Sequence, residues 1–496
     1  MSENPKADNG ATVPNIQPAT TIARNAFNLL LGQLTTTALA VVLSAALGRS
    51  LGAHDFGIYY LMTTTSAFAF VLVEWGQPLL VIRLLAQTPQ RSGVVLGTAL
   101  FLRTIFTLVV TVPAGLVSWF LGYGLHTTSL TVYLILATLP VFLAQGYGMA
   151  FRAHDQMGRD ATVSVTNKAI TLGLTLPALA LGMAIPGVVF AQAVAGIVAL
   201  GVAILLYRRL GAPTLRISSE TARELFVAGT PILALTAATS IQPYLDAIVL
   251  SKFAPTAVVG WFGAARNILG TLIAPATILG AAAYPRIARA SSDREAFRKE
   301  VAGALRPLLW LGALAGCGTY LFAQTVISLI YGAKGFGPAA TILQVFAPGF
   351  LLLFIDILLG NIIYASGRGT GFAVAKVISV AVGTGLDFLF IPWSQRHLGN
   401  GGIGVLMAFG LSEFVVFAGA ILTLPPKTFQ KSAWLDVLRA LGAGGATILL
   451  FRIFPTLHPG FGIPLSVVTF AIASFAFGLA TRRDLEMIRS LVRRGK

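Results

Sequence analysis

Charge is what this sequence has least of. Only 11% of its 496 residues are charged and 56% are hydrophobic, whereas a water-soluble domain carries about a quarter charged residues. Mean hydropathy is +0.80. A soluble fold is excluded, and at roughly 20 apolar residues per span the chain has material for about a dozen or more transmembrane helices. Cysteine is nearly missing: Cys317 stands alone, which excludes a disulfide framework and a cysteine-ligated metal site. Acids are outnumbered, 18 against 35 Lys and Arg. A net charge of +17 suggests nucleic acid at first sight, but a polytopic chain uses basic residues to orient itself, so no nucleic-acid partner is expected. No loop is long enough for a soluble catalytic domain, and G-x-x-x-x-G-K-[ST] does not occur. An ATP-driven pump would need a separate subunit for its motor. Nucleophile–base groupings and metal-ligand spacings are also missing, so neither catalytic residues nor a metal site is predicted.

What is present is a series of apolar segments. Fourteen helix cores are predicted at 25–47, 57–75, 94–120, 129–151, 161–183, 186–207, 228–251, 256–281, 307–330, 338–364, 371–393, 402–424, 436–454 and 461–480. Residues 1–22 lack the charged-then-apolar signature of a cleaved signal, so the first helix is expected to insert and stay. With both termini cytoplasmic, only Arg49, Lys252, Lys334, Arg396 and Arg452 face the other side, and Arg103 and Arg266 stay inside helices. Every other Lys and Arg then falls on or near the cytoplasmic face, the asymmetry that the positive-inside rule demands. The connectors 208–227 and 285–306 read as amphipathic helices, with Thr221-x-x-Glu224 and Ser292-x-x-Glu295 as capping-box matches.

Two connectors repeat each other. Arg49, Gly57 and Tyr59 recur as Lys252, Gly260 and Phe262 at an offset of 203. Six helices separate them and both lie on the same side, which fits two parallel six-helix lobes with a central cleft. The expected division is a cytoplasmic segment 1–24, a first lobe 25–207, a connector 208–227, a second lobe 228–424, two appended helices 425–480 and a basic tail 481–496.

The segment Ala46-Leu-Gly-Arg-Ser-Leu-Gly-Ala-His-Asp-Phe-Gly-Ile-Tyr-Tyr60 resembles the first connector of bacterial polysaccharide-lipid flippases, which handle O-antigen or exopolysaccharide repeat units. These belong to the multidrug/oligosaccharidyl-lipid/polysaccharide exporter superfamily. Tyr244-Leu-Asp246-Ala-Ile-Val-Leu250, Val259-Gly-Trp-Phe-Gly-Ala-Ala-Arg266 and Ala282-Ala-Tyr-Pro285-Arg-Ile-Ala288 agree with it. One branch of the superfamily, which flips lipid II, carries an Arg-Asp pair inside the first helix. Here that stretch is the uncharged Ala40-Val-Val-Leu-Ser44, which argues against that branch. The resemblance implies an inner-membrane flippase of polysaccharide or lipopolysaccharide biosynthesis. It would move a polyprenyl-diphosphate-linked oligosaccharide from the cytoplasmic to the periplasmic leaflet by alternating access, in concert with a glycan polymerase and export machinery. A cation-coupled exporter of small drugs or metabolites is the alternative within the superfamily.

An ionisable side chain inside a span costs about 2.5–3.5 kcal/mol and usually faces a cavity or a partner. Arg103 and Arg266 sit roughly 13 and 15 Å from their nearer helix ends at 1.5 Å per residue, too deep to snorkel out. Guanidinium offers paired donors matched to phosphate, so Arg266 and Arg103 are the leading substrate contacts, with Arg49 and Arg24 at the exit and the inlet. The competing account pairs Arg103 with Glu74 and Arg266 with Asp246. Asp246, Asp356, Glu413 and Glu74 are candidates for ion pairs or for coupling to an H⁺ or Na⁺ gradient, with Lys376 a further partner for Asp356 or Glu413. Asp387, near a helix end, reads as capping or wet. No other cofactor is expected.

Overall fold

The computed structural model describes Ala19 to Thr481, apart from residues 212, 333–334, 426–427, 430 and 454–458. The basic tail, Lys334 and Lys427 therefore lie outside the described residues, as does the side chain of Arg24. The described chain is all-α, as the composition requires: an apolar segment in hydrocarbon must satisfy every backbone N–H and C=O internally. Among the described residues nine helices are long and apolar enough to cross a membrane, or ten when one bent pair counts as a single span.

The predicted cores fall on helix, but the segments do not number fourteen. The first, α1 (Ala19–Glu74), carries the first two predicted spans. They are divided at Gly52, whose φ of 72° leaves the helical region at a position where only glycine is unstrained. Next come α2 (Gln77–Gln87), α3 (Ser92–Phe120), α4 (Gly124–Ala153), α5 (Met157–Ala180) and α6 (Ala184–Arg208). The predicted seventh span is broken into α7 (Ser219–Ser240) and α8 (Gln242–Phe253), with Pro243 in the first turn of α8. There follow α9 (Thr256–Arg289) and α10 (Arg294–Tyr331). The predicted tenth span is α11 (Gly337–Phe346) plus α12 (Gly349–Ala365), bent by 52° at Pro348. Last are α13 (Gly369–Leu398), α14 (Gly401–Thr423), α15 (Lys431–Ile453) and α16 (Pro459–Ala476). Proline at both breaks removes a backbone donor, so the helix restarts rather than continues.

Three details differ from the sequence reading. Residues 77–87 fall between two predicted spans, yet they form the helix α2, which packs Gln77, Val81 and Leu85 inward. The connectors are not separate amphipathic helices. Arg216 N–H donates to Gly93 O at 3.1 Å and Ser218 N–H to Thr98 Oγ1 at 3.1 Å, so the first connector lies along α3 as an extended strap. The span helices α9 and α10 themselves extend across most of the second. The caps are consequently displaced: Ser218 accepts from Thr221 N–H, and Asp293 accepts from the N–H groups of Glu295 and Ala296. A capping-box pattern identifies a helix start only where the backbone leaves an orphan donor.

Within the first half, α3 to α6 pack on one another around Leu96, Ala99, Ala150 and Phe151. In the second half, α9 to α12 share a larger core centred on Leu309, Phe350 and Ile362. The long α1 lies between them, against α5 on one side and α9 on the other. Between lipid-embedded helices there is no hydrophobic drive, and close approach of small residues substitutes for it. Gly57 and Gly260 are the extreme case: a Cβ on Gly57 would stand 2.1 Å from Thr256 O, and one on Gly260 would stand 2.0 Å from Ala53 O.

At the far end of the chain, buried Asp436 of α15 accepts from Arg306 of α10 at 3.0 and 3.4 Å and from Arg439 at 2.9 Å. Hydrogen bonds to charged groups contribute about 1.5–3 kcal/mol. Asp436→Ala is expected to lower the melting temperature of the detergent-purified protein and loosen α15, which a thermal-shift assay checks. An unchanged melting curve would show that the tie contributes nothing.

Candidate functional site

A cavity of about 530 Å³ lies between both halves of α1, α5, α9 and the end of α10. Along α1 it runs from Gln33 to Leu47, which at 1.5 Å per residue is roughly 21 Å. Its walls carry Thr36, Thr37, Ser44, Thr63, Asn267 and Thr271, with Tyr59, Tyr60 and Tyr331 toward the connector end. At that end Phe56, Tyr331 and Phe336 pack together with ring centroids 5.0–5.6 Å apart. Asn267 Nδ2–H donates to Ser44 Oγ at 3.0 Å, and Ser44 shares a 2.8 Å hydrogen bond with the Tyr331 hydroxyl.

Two side chains in this wall are cationic, Arg266 of α9 and Lys168 of α5, and none is acidic. Both are half-buried. Among the described residues neither makes a hydrogen bond or an ion pair. The Asp246–Arg266 salt bridge of the competing account does not form; the two interact only at longer range. Unanswered positive charge inside a membrane protein is expensive and marks a ligand path or an ion relay by default. Hydroxyls, amides and tyrosine rings around it suit a polar, ring-bearing cargo.

The other predicted contacts sit elsewhere. Arg103 is 1% exposed and does not reach the cavity. Its guanidinium donates to Gln77 Oε1 at 3.1 Å and to Phe142 O at 2.8 Å, and it lies 3.8 Å from the Met149 sulfur. It ties α2 and α4 to α3. The Glu74–Arg103 pair of the competing account is not a contact either, because Arg103's donors are taken by neutral oxygens; Glu74 acts on it only over a longer distance. Arg49 also lies outside the cavity and donates to the carbonyls of Leu329 and Ile330, the latter at 2.9 Å.

The acids separate into two groups. Asp356 pairs with Lys376 at 2.7 Å, and Glu413 is buried nearby with Oε2 unpartnered. Asp246 and Asp387 are buried neighbours, 5% and 1% exposed, and their carboxyl groups lie within hydrogen-bonding reach of each other. Asp387 is thus buried and not wet: α13 runs on to Leu398, so a position that looked terminal is interior. Among the described residues no three His, Cys, Asp or Glu gather as a metal site.

Lys168 was missed. It sits eleven residues past the start of α5, and its long stem allowed it to be counted as snorkelling to the cytoplasmic face. Also unforeseen is an apolar groove of about 380 Å³ between α9, α10, α12 and α16, lined by Leu272, Leu314, Phe322, Val326, Phe354 and Ile463 among others. Groove and cavity share Ile268 and Thr271.

Residues 22–291, more than half of the chain, match the family model described as polysaccharide biosynthesis protein. The chain belongs to that family. No curated protein matches it. Solved structures with the same fold include the lipid II flippase MurJ in an inward closed conformation, with TM-score 0.73 and 13% identity over 92% of this chain and 99% of that one. An inward-facing multidrug resistance MATE family transporter of the MOP superfamily gives 0.66 and 15% over 78% and 94%. A MOP superfamily transporter from Pyrococcus furiosus, described by the reverse polarity of its binding pocket, gives 0.54 and 16% over 81% and 95%. The polysaccharide biosynthesis family member described here therefore has the fold of flippases and transporters.

If Arg103 is a tie rather than a contact, Arg103→Ala should unfold the protein rather than disable a folded one. Each orphaned buried partner costs about 1–3 kcal/mol. Reduced detergent-extractable yield and a lower melting temperature are expected, measured by fluorescence size-exclusion chromatography. Full yield with lost activity would assign Arg103 to the cargo instead.

Proposed function

We propose that the chain is a flippase that carries a polyprenyl-diphosphate-linked oligosaccharide from the cytoplasmic to the periplasmic leaflet of the bacterial inner membrane, with both termini cytoplasmic. One observation carries the reading: the cavity holds two cations without partners and no acid. A diphosphate entering a low-dielectric slab bare would be prohibitive. Arg266 supplies a planar fork matched to phosphate oxygens and Lys168 a mobile point charge. One cation comes from each half of the chain, so a dianion between them draws the halves together. Tyr59, Tyr60 and the hydroxyl-bearing walls then face the sugars.

The groove that adjoins the cavity through Ile268 and Thr271 is apolar and open to the polyprenyl chain, so the tail need not leave hydrocarbon while the headgroup crosses. Coupling to an H⁺ or Na⁺ gradient is best supported at Asp246 and Asp387, two buried carboxyls that share a site and form no salt bridge among the described residues, Arg266 acting on Asp246 only at longer range. Asp356 is already matched by Lys376. A glycan polymerase and export machinery would take the product on the far side. A cation-selective drug exporter would need acids in the cavity, and none lines it.

Charge reversal at either cation, Arg266→Glu or Lys168→Glu, is expected to abolish translocation with insertion intact, while Arg266→Lys and Lys168→Arg keep most of it. The measurement is extraction of polyprenyl-linked glycans from a deletion strain complemented with each variant. Intact, unpolymerised repeat units should accumulate on the inner leaflet. A normal glycan profile with altered drug sensitivity would sink the reading. In proteoliposomes, Asp387→Asn should leave headgroup binding in place and remove the dependence of transport on the imposed ion gradient.

A further inference from the structure

The repeated connectors meet each other. Gly57 and Gly260 stand back to back: an added Cβ on Gly57 would lie 3.0 Å from Gly260 N, and one on Gly260 would lie 3.2 Å from Gly57 N. The pseudo-twofold relation read from the sequence therefore passes between them. The basic residue that opens each repeat reaches across to the other half. Arg49 donates to the Leu329 and Ile330 carbonyls in the last turn of α10. Lys252 donates to Leu121 O, at the end of α3, and lies 4.4 Å above the Tyr123 ring. A second pair repeats the exchange, since the Ser44 hydroxyl bonds Tyr331 at 2.8 Å and the Ser251 hydroxyl bonds Tyr123 at 2.8 Å. The carbonyls at a helix C-terminus lack intrahelical donors and attract cations, so each half supplies what the other's helix end lacks.

This seam closes the cavity's connector end, beyond the ring cluster of Phe56, Tyr331 and Phe336. We propose that the two connectors form an exchanged outer gate, in which Arg49 latches onto α10 and Lys252 onto α3. Both latches must release, and the Gly57–Gly260 backbone contact must part, before the cavity opens on that side. Two glycines are required because side chains would hold the backbones apart, and two latches because each half presents one helix end to the other's basic residue. The device is independent of what the cavity carries.

The test is accessibility. Cys317 is buried at 3% exposure and is removed as Cys317→Ser; a reporter is placed in the cavity wall as Thr63→Cys. A membrane-impermeant maleimide is applied from outside to cells with a permeabilised outer membrane, and a permeant maleimide serves as the control for folding. With both latches intact the impermeant reagent should label the reporter weakly. Arg49→Gln and Lys252→Gln should each raise labelling, and together raise it several-fold, as should Gly57→Ala by wedging the seam. Both latch residues are exposed, so these variants are expected to fold even if the glycine variant does not. Strong outside labelling of the parent reporter would overturn the proposal. So would labelling that stays at the parent level in the double variant while the permeant reagent still reacts. A full effect from one latch and none from the other would overturn the exchange.

Discussion

A charge inside this molecule must be answered, because hydrocarbon will not solvate it, and most of the polar architecture follows from how each is answered. Arg103 is held by an amide and a carbonyl oxygen, Lys376 by Asp356, and Arg306 by Asp436. Arg49 and Lys252 are taken up by helix-end carbonyls. What is left over is informative by contrast. Among the described residues Arg266 and Lys168 have no hydrogen-bond or ion-pair partner and share one cavity, while Asp246 and Asp387 face each other outside any salt bridge, with Arg266 acting on Asp246 only at longer range. Positive excess in the cleft and negative excess behind it are the two features that stability alone does not explain.

The spans were legible because apolar length is nearly the whole requirement for crossing a bilayer. The repeat was legible for a similar reason: Gly57 and Gly260 have a backbone role that no other residue fills. Arg266 was readable as a deep arginine, but depth alone does not tell a cavity wall from a helix interface, and Arg103 sits equally deep on the wrong face. Its true partners, Gln77 and the Phe142 carbonyl, are neutral, so no charge pattern announces them. The helix α2 escaped notice because its eleven residues are too short to span, so hydropathy leaves them in the loop between two spans. Proline-induced breaks at Pro243 and Pro348 divide spans that hydropathy reads as continuous.

The stretch Ala40–Ser44 illustrates how the fold is reused. It lacks the Arg-Asp pair expected of a lipid II flippase, and Ser44 there bonds Tyr331 and Asn267 instead. The contact inside the first helix is thus neutral, and the cavity's charge comes from α5 and α9. The fold is shared with MurJ at 13% identity, and in this chain the cavity's charge is placed on α5 and α9.

The helix α9 has an unusual assignment. At Ile268 and Thr271 a single turn borders both a wet, cationic chamber and an oily slot. Any roll of that helix resizes both compartments at once, so the accommodation of a headgroup and of its hydrocarbon anchor cannot be adjusted separately. Selection on one is selection on the other, and variants at these two positions are constrained by two immiscible solvents.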